Sequence, residues 1–231
     1  MTMQLSEDRL VKDLVNDFPK TSDVFKRHRI DFCCGGNISL IRAAAEQSAD
    51  MEVLIKELNE VIQKENPKED IQVWTKSSSV DIIEYVINQY HRPLEEELSQ
   101  LSPYVTKVAR VHGAGHEELL RVHELFFELK RELLEHTAKE EESVFPLLLK
   151  LEDPPADNRE EIISYIQELE KEHDHAGAIL KELREITSDF VPPSDACGSY
   201  RLVYKRLEDL EGQTFMHVHL ENNILFPRYI N

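Results

Sequence analysis

Apolar residues recur at helical spacing along most of the chain, and strand-like alternation is nearly absent. After Ser79 the stripe Ile83, Ile87, Tyr90, Leu94 and Leu98 predicts a long helix, in which Pro93 should bend the axis or distort one turn. His112-Gly113-Ala114-Gly115 marks the next break. A second helix carries Leu119, Val122, Phe126, Leu129, Leu133, His136 and Glu140 and stops at Asp153-Pro154-Pro155. Ile162, Ile166, Leu169, His173, Ala176, Leu180 and Leu183 give a third, on a near-heptad seam. A loop at Phe190-Val191-Pro192-Pro193-Ser194-Asp195 precedes a fourth, through Val203, Leu207, Leu210, His217, Glu221 and Leu225. Helices of similar length joined by short loops predict antiparallel packing, so the fold class is an all-α, antiparallel four-helix bundle.

A smaller helical unit precedes it. Ser6, followed by Glu7 and Asp8, reads as an N-cap, and Leu10, Val11, Leu14 and Val15 form one apolar face. A further helix is expected from near Ser39 to Ile62, broken near Asp50, with Phe32-Cys33-Cys34-Gly35-Gly36 between the two. About 60 residues bury little surface, so this unit is expected to dock on a partner surface. Residues 64–79 contain Asn66-Pro67, are polar and lack helical periodicity, which predicts a linker. The expected domains are therefore 1–63 (the small helical domain), 64–79 (the linker) and 80–231 (the bundle).

Composition narrows the function class. With 45 acidic against 27 basic residues the formal charge is −18, a field that repels phosphate backbones and anionic lipid. Nucleic acid and membrane are therefore not expected partners. The first residues lack the apolar run of a signal peptide, and no stretch reaches the roughly 18 apolar residues of a membrane span. Three cysteines, two of them adjacent, make no disulfide framework. The expectation is a cytoplasmic protein with reduced thiols.

The chemistry lies where polar residues interrupt the apolar stripes. His91 adjoins the stripe of the first bundle helix, and His136 and Glu140 interrupt the second. His173 interrupts the third, and His217 and Glu221 the fourth. A His-to-Glu spacing of four puts both side chains on one helix face. It occurs twice inside a longer repeat: His136 to Phe145-Pro146 aligns without gaps to His217 to Phe226-Pro227. One core histidine is commonly a hydrogen-bonded packing residue, and one such pair is commonly a surface pair. The duplication, with a histidine on every stripe, points instead to a centre of two metal ions between the helices. Nitrogen and oxygen donors without thiolate suit iron, manganese, zinc or copper. Shared among two metals, six ligands leave open positions for a small molecule or an oxo or hydroxo bridge. Two carboxylates carry less negative charge than carboxylate-rich di-iron sites do, which favours the ferrous state and release of iron. Glu172, beside His173, is a candidate supporting or access-channel carboxylate, and His112 sits at a helix end, expected near the mouth of the bundle. His219 lies on a different face from His217. His28, His116, His123 and His175 read as surface or packing residues.

Cys33 and Cys34 sit on a glycine-rich turn ahead of the helix near Ser39, which describes an exposed, reactive dithiol; two incidental buried cysteines are the alternative. Cys197 is a lone loop thiol. These features together resemble the iron–sulfur cluster repair di-iron proteins, the repair-of-iron-centres family. Asp31 to Gly36 is similar to that family's small N-terminal domain. Tyr90-His91-Arg92, Val111-His112, His136 to Pro146, Glu172-His173-Asp174, Pro192-Pro193 and His217 to Pro227 are similar to its hemerythrin-like domain. His219 departs from the pattern, where a small or neutral residue is expected. The resemblance implies a non-haem di-iron centre held by His91, His136, Glu140, His173, His217 and Glu221, with Glu140 and Glu221 bridging. It also implies a cytoplasmic homodimer that answers oxidative or nitrosative stress by restoring damaged iron–sulfur clusters, through donation of iron. Cys33 and Cys34 would contact the client protein, receive iron or reduce a bound species. The alternatives are an enzyme that reduces nitric oxide or dioxygen at the centre, a sensor that binds either reversibly, and a bundle with a structural metal.

Overall fold

A computed structural model of the chain describes residues 5–64, 73–151 and 159–230. Among these residues the structure is helical, and its one extended pairing is an isolated antiparallel bridge between Leu10 and Ser39. Residues 65–72 of the expected linker at 64–79 and the stop at Asp153-Pro154-Pro155 fall outside the described residues, and the described part of the linker carries a short helix at Val73–Lys76. The helices are α1 (Val11–Asp17), α2 (Thr21–Arg27), α3 (Leu40–Glu46), α4 (Met51–Lys64), α5 (Val73–Lys76), α6 (Ser79–Val86), α7 (Arg92–His112), α8 (Glu118–Lys139), α9 (Phe145–Leu151), α10 (Arg159–Ile186), α11 (Gly198–Leu220) and α12 (Pro227–Ile230). They form two compact units, one of residues 83–214 and one of residues 1–82 with 215–231.

The 83–214 unit is an antiparallel bundle of α7, α8, α10 and α11. Lys130 of α8 donates to Ser102 of α7, while His123, earlier in α8, lies 3.3 Å from Thr106, later in α7. The same inverse order relates α8 to α10, through Lys139–Glu168 and Arg121–Glu182. It also relates α7 to α11, through Glu97–Arg206 and His112–Cys197. Leu98, Leu101, Phe126, Leu129, Ile166, Leu180, Val203 and Leu207 are buried on the facing stripes.

Three π-helical turns occur among the described residues, Ile87–His91, Glu140–Val144 and Glu221–Leu225. Each ends two residues before a proline: Pro93, Pro146 and Pro227. Proline offers no N–H to the carbonyl four residues back, and its ring crowds that carbonyl. One inserted residue relieves both problems, closing each turn with an i→i−5 bond: Arg92 to Ile87, Phe145 to Glu140 and Phe226 to Glu221. The distortion expected at Pro93 is thus a π turn, and it revises the predicted stripe. Buried positions run Ile82, Ile83, Val86, then His91, Leu94 and Leu98, with a step of five across the turn. His91 takes the interior position, while Ile87 and Tyr90 are half-buried.

The loop before α11 is held against its own backbone preference. Ser188, Asp189 and Phe190 all have positive φ (50°, 61° and 56°), a conformation costing about 1 kcal/mol or more per residue. Thr187 Oγ1 accepts from the Phe190 N–H (3.1 Å), and Asp189 N–H donates to Arg184 O (2.8 Å). The Arg184 guanidinium stacks over the Phe190 ring at 5.0 Å and forms a two-pronged pair with buried Glu211.

In the other unit, α1 begins later than Ser6 suggests. Leu10 is extended and bridged to Ser39, Val11 N–H donates to Ile38 O (3.0 Å) and Leu40 N–H to Arg9 O (2.9 Å). That pairing, rather than a Ser6 cap, sets the start of the helix. The expected helix from Ser39 divides into α3 and α4 at Ser48, whose φ is 54°. The core contains Val11, Leu14, Phe25, Phe32, Leu40, Leu54 and Leu58, and it also contains Val218, with Phe215 and Met216 packed against it. Phe32 meets the Phe215 ring edge-on at 6.2 Å. The marginal N-terminal segment thus completes its core with residues from the end of α11.

Removing Arg184 while Glu211 stays buried leaves a carboxylate with its guanidinium partner gone. Arg184→Met is expected to destabilise the protein by about 3 kcal/mol in urea denaturation; an unchanged midpoint contradicts the role given to this pair.

Candidate metal centre

Within the bundle unit, His91, His136, Glu140 and His173 converge. All are buried, with Glu140 at 0% exposure. His91 Nε2 lies 3.3 Å from Glu140 Oε2, and His136 Nε2 lies 3.4 Å from Glu140 Oε1. His173 Nε2 is 2.9 Å from His136 Nε2. Each Glu140 oxygen therefore faces a different imidazole, the disposition a bridging carboxylate requires. Donor atoms about 2.1 Å from one first-row ion stand about 3.0 Å apart in an octahedron and about 3.4 Å apart in a tetrahedron. The two imidazole–carboxylate separations fall in that interval and the His173–His136 separation lies just below it, so the donor set fits metal.

The tautomers are set from behind. His136 Nδ1 is 2.7 Å from Glu172 Oε2, and Lys139 also donates to Glu172. His91 Nδ1 is 3.0 Å from Glu141 Oε1, and Arg92 pairs with the other oxygen of Glu141. A carboxylate accepting at Nδ1 keeps the proton there and leaves the Nε2 lone pair directed at Glu140. The His136 imidazole, then Lys139, holds the Glu172 carboxyl down to about 2, so it stays an acceptor at neutral pH. Glu172, expected beside His173, lies against His136 instead; Glu141, in the same relation to His91, was missed. Its only sequence signal is adjacency to Glu140 within an acidic run.

The second copy of the repeat lies in the other unit, in the same local form. His217 and Glu221 are buried, with Nε2 and Oε1 3.0 Å apart. As with Glu140, Glu221 is the first residue of a π turn that a Phe-Pro pair closes.

The cysteines are not as expected. Cys33 is buried and Cys34 half-buried. The hydrogen bond to Cys34, burial and the Asp31 carboxylate push the Cys33 thiol well above the ordinary range. An exposed, activated dithiol is therefore corrected to a packed turn: the start of α3 provides no activation that outweighs burial beside Asp31. His219, expected off the site, is buried in this unit; its Nδ1 is 3.2 Å from Phe32 O and its Nε2 2.9 Å from Asn16 Oδ1. Burial holds its pKa down to about 4, so the ring is neutral. Of the remaining candidates, His112 ends α7 with Nε2 3.2 Å from exposed Cys197, and His116 pairs with Asp195.

Comparison with known proteins places this geometry. Residues 82–229 match the hemerythrin HHE cation binding domain, and residues 7–62 match a domain of unknown function, DUF542. The bundle is thus hemerythrin-like and of a cation-binding class. The chain is 40% identical over 226 residues to the iron-sulfur cluster repair protein ScdA of Staphylococcus haemolyticus, covering 97% of this chain and 99% of that one. It is 32% identical over 221 residues to the iron-sulfur cluster repair protein YtfE of Escherichia coli, covering 96% of each. A probable iron-sulfur cluster repair protein of Haemophilus influenzae is 30% identical over 229 residues, 99% of each chain. The chain belongs to this family of iron–sulfur cluster repair proteins.

Glu172→Gln leaves the converging imidazoles and Glu140 in place but weakens the hold on the His136 tautomer. We expect metal affinity to fall about 10- to 100-fold in a chelator competition titration, with stoichiometry at saturation unchanged. Undiminished affinity would show that Glu172 plays no part in the site.

Proposed function

We propose that His91, His136, Glu140, His173, His217 and Glu221 together hold two iron ions, with Glu140 and Glu221 bridging, and that the chain repairs damaged iron–sulfur clusters by donating iron from this centre. The observation that carries the reading is Glu140, fully buried with an imidazole nitrogen beside each of its oxygens. When bound, the metal pair supplies iron in a form that can change oxidation state and be handed on. The protein's part is electrostatic and positional. Glu172 and Glu141 hold the Nδ1 protons of His136 and His91 and so aim their Nε2 atoms inward, and the π turns fix where Glu140 and Glu221 leave their helices. Four neutral imidazoles and two carboxylates offset half the charge of two ferrous ions, less than a carboxylate-rich site does, which favours a releasable store over a permanent cofactor. The family supports the client class, since the relatives are iron-sulfur cluster repair proteins by name.

The proposed setting is the cytoplasm, with the protein a homodimer acting under oxidative or nitrosative stress. No helix among the described residues is long and apolar enough to cross a membrane.

The test is repair in vitro of an iron–sulfur enzyme damaged by peroxide or nitric oxide, using iron-loaded chain and no added iron. Glu140→Ala combined with Glu221→Ala is expected to abolish both iron content and repair. Repair by the metal-free double variant would overturn iron donation. Conversion of nitric oxide to nitrous oxide beyond stoichiometric yield, without iron loss, would replace it with a reductase.

A further inference from the structure

Asp31, Cys33 and Cys34 are left over from the centre described above, and all belong to the unit that contains the N-terminal segment. We propose that they form a separate mononuclear site for a divalent first-row cation of the zinc or ferrous class. The site uses none of the six histidine and glutamate donors and does not rest on the di-iron reading.

The distances carry it. Cys33 Sγ and Cys34 Sγ are 3.8 Å apart, too far for a disulfide, whose sulfurs sit about 2.05 Å apart. Two thiolates bound to one tetrahedral ion at about 2.3 Å are separated by about 3.8 Å. Asp31 Oδ1 lies 3.4 Å from Cys33 Sγ, against about 3.5 Å for the sulfur–oxygen edge of the same tetrahedron. Ligand atoms of all three residues fall within 4.8 Å of one another.

The turn holds this arrangement before any ion arrives. Asp31 Oδ1 accepts the N–H groups of Cys33 (3.1 Å) and Cys34 (3.0 Å), folding the carboxylate back over both thiols. Glycine is required at 36, where a Cβ would stand 2.4 Å from Phe32 O. The turn is also tied to the end of α11 and the π turn after it. His219 meets Phe32 O, Asn223 Nδ2 donates to Cys33 O (2.9 Å), and Asn222 Nδ2 donates to Cys34 Sγ at 3.8 Å. An amide donor of that kind suits a metal-bound thiolate. His219, a departure from the family pattern, thus braces the backbone immediately before the cysteines. Each thiol passes its proton to solvent as its metal–sulfur bond forms. Three protein ligands leave a fourth corner beside half-buried Cys34, where water or a ligand from another molecule binds.

The test is anaerobic titration of the full-length Cys197→Ser chain with cobalt(II), whose thiolate charge-transfer absorption reports sulfur ligation and is silent for histidine and carboxylate donors. With the histidine and glutamate centre filled beforehand with iron, the absorption is expected to saturate at about one added cobalt per chain and to vanish in the added Cys33→Ser, Cys34→Ser variant. Asp31→Asn is expected to weaken it about tenfold or more. No absorption in the parent, absorption that survives loss of both cysteines, or unchanged affinity in Asp31→Asn overturns the site. X-ray absorption at the cobalt edge of the unsubstituted chain stands independently of how the variants fold. Two sulfur neighbours for the thiolate-bound ion support the proposal, and one or none overturns it. Because this readout is sulfur ligation, its failure leaves the histidine and glutamate centre untouched, and loss of that centre leaves this signal in place.

Discussion

Burying carboxylates is the constraint on which the rest of the structure depends. Glu140 and Glu221 have no exposure to solvent, and an isolated charge removed from water is among the most costly features a fold can carry. An imidazole nitrogen lies beside each oxygen of Glu140 and beside Glu221, from His217 one turn earlier, and a cation held by these donors would offset that cost. Those imidazoles are useful only as neutral lone-pair donors, which brings in Glu172 and Glu141 behind them and then Lys139 and Arg92 behind those carboxylates. Outward from Glu140 the order is imidazole, carboxylate and then the Lys139 or Arg92 cation, so the interior donors are held by ion pairs that water can still stabilise.

Backbone geometry serves the same end. At three prolines the chain inserts one residue, and each insertion begins or ends on a proposed ligand: His91, Glu140 or Glu221. Proline alone does not force this, because Pro103 lies inside α7 without a π turn. The insertion rotates the following helix by one residue, so a ligand and the apolar stripe beyond it can share a face. This explains which part of the centre was legible. The duplicated His-to-Glu block announced itself through identical offsets, and the histidines stood out against apolar stripes. The step of five at Val86 to His91 did not, because a straight helix puts Tyr90 on the stripe. Glu141 stayed hidden for a related reason: its role depends on a contact across the bundle, which no spacing within one helix reveals.

The N-terminal segment was less legible because its signals are not the usual ones. Arg29 and Ser48 end their helices in the left-handed conformation, with Ile30 N–H returning to Phe25 O and Ala49 N–H to Ala44 O. Glycine normally marks such ends, and neither position is glycine. α2, which Arg29 follows, passed unrecognised. Burial of Cys33 follows from long-range packing, since Phe32 meets Phe215 and His219 from the far end of the sequence. A local reading of Cys-Cys-Gly-Gly sees a free turn; the folded chain makes it a brace. The apolar core of this unit is likewise shared with Val218, a debt of the short segment that composition foretold without naming the lender.

The most direct measurement of the central claim is elemental analysis of anaerobically purified protein beside a His136, Glu140 and Glu221 triple variant prepared identically. The account predicts about two irons per chain in the parent and loss of that iron in a variant that keeps its helical fold. Zinc or no metal in carefully handled parent protein would contradict it, leaving the bundle in place and removing the basis for iron donation.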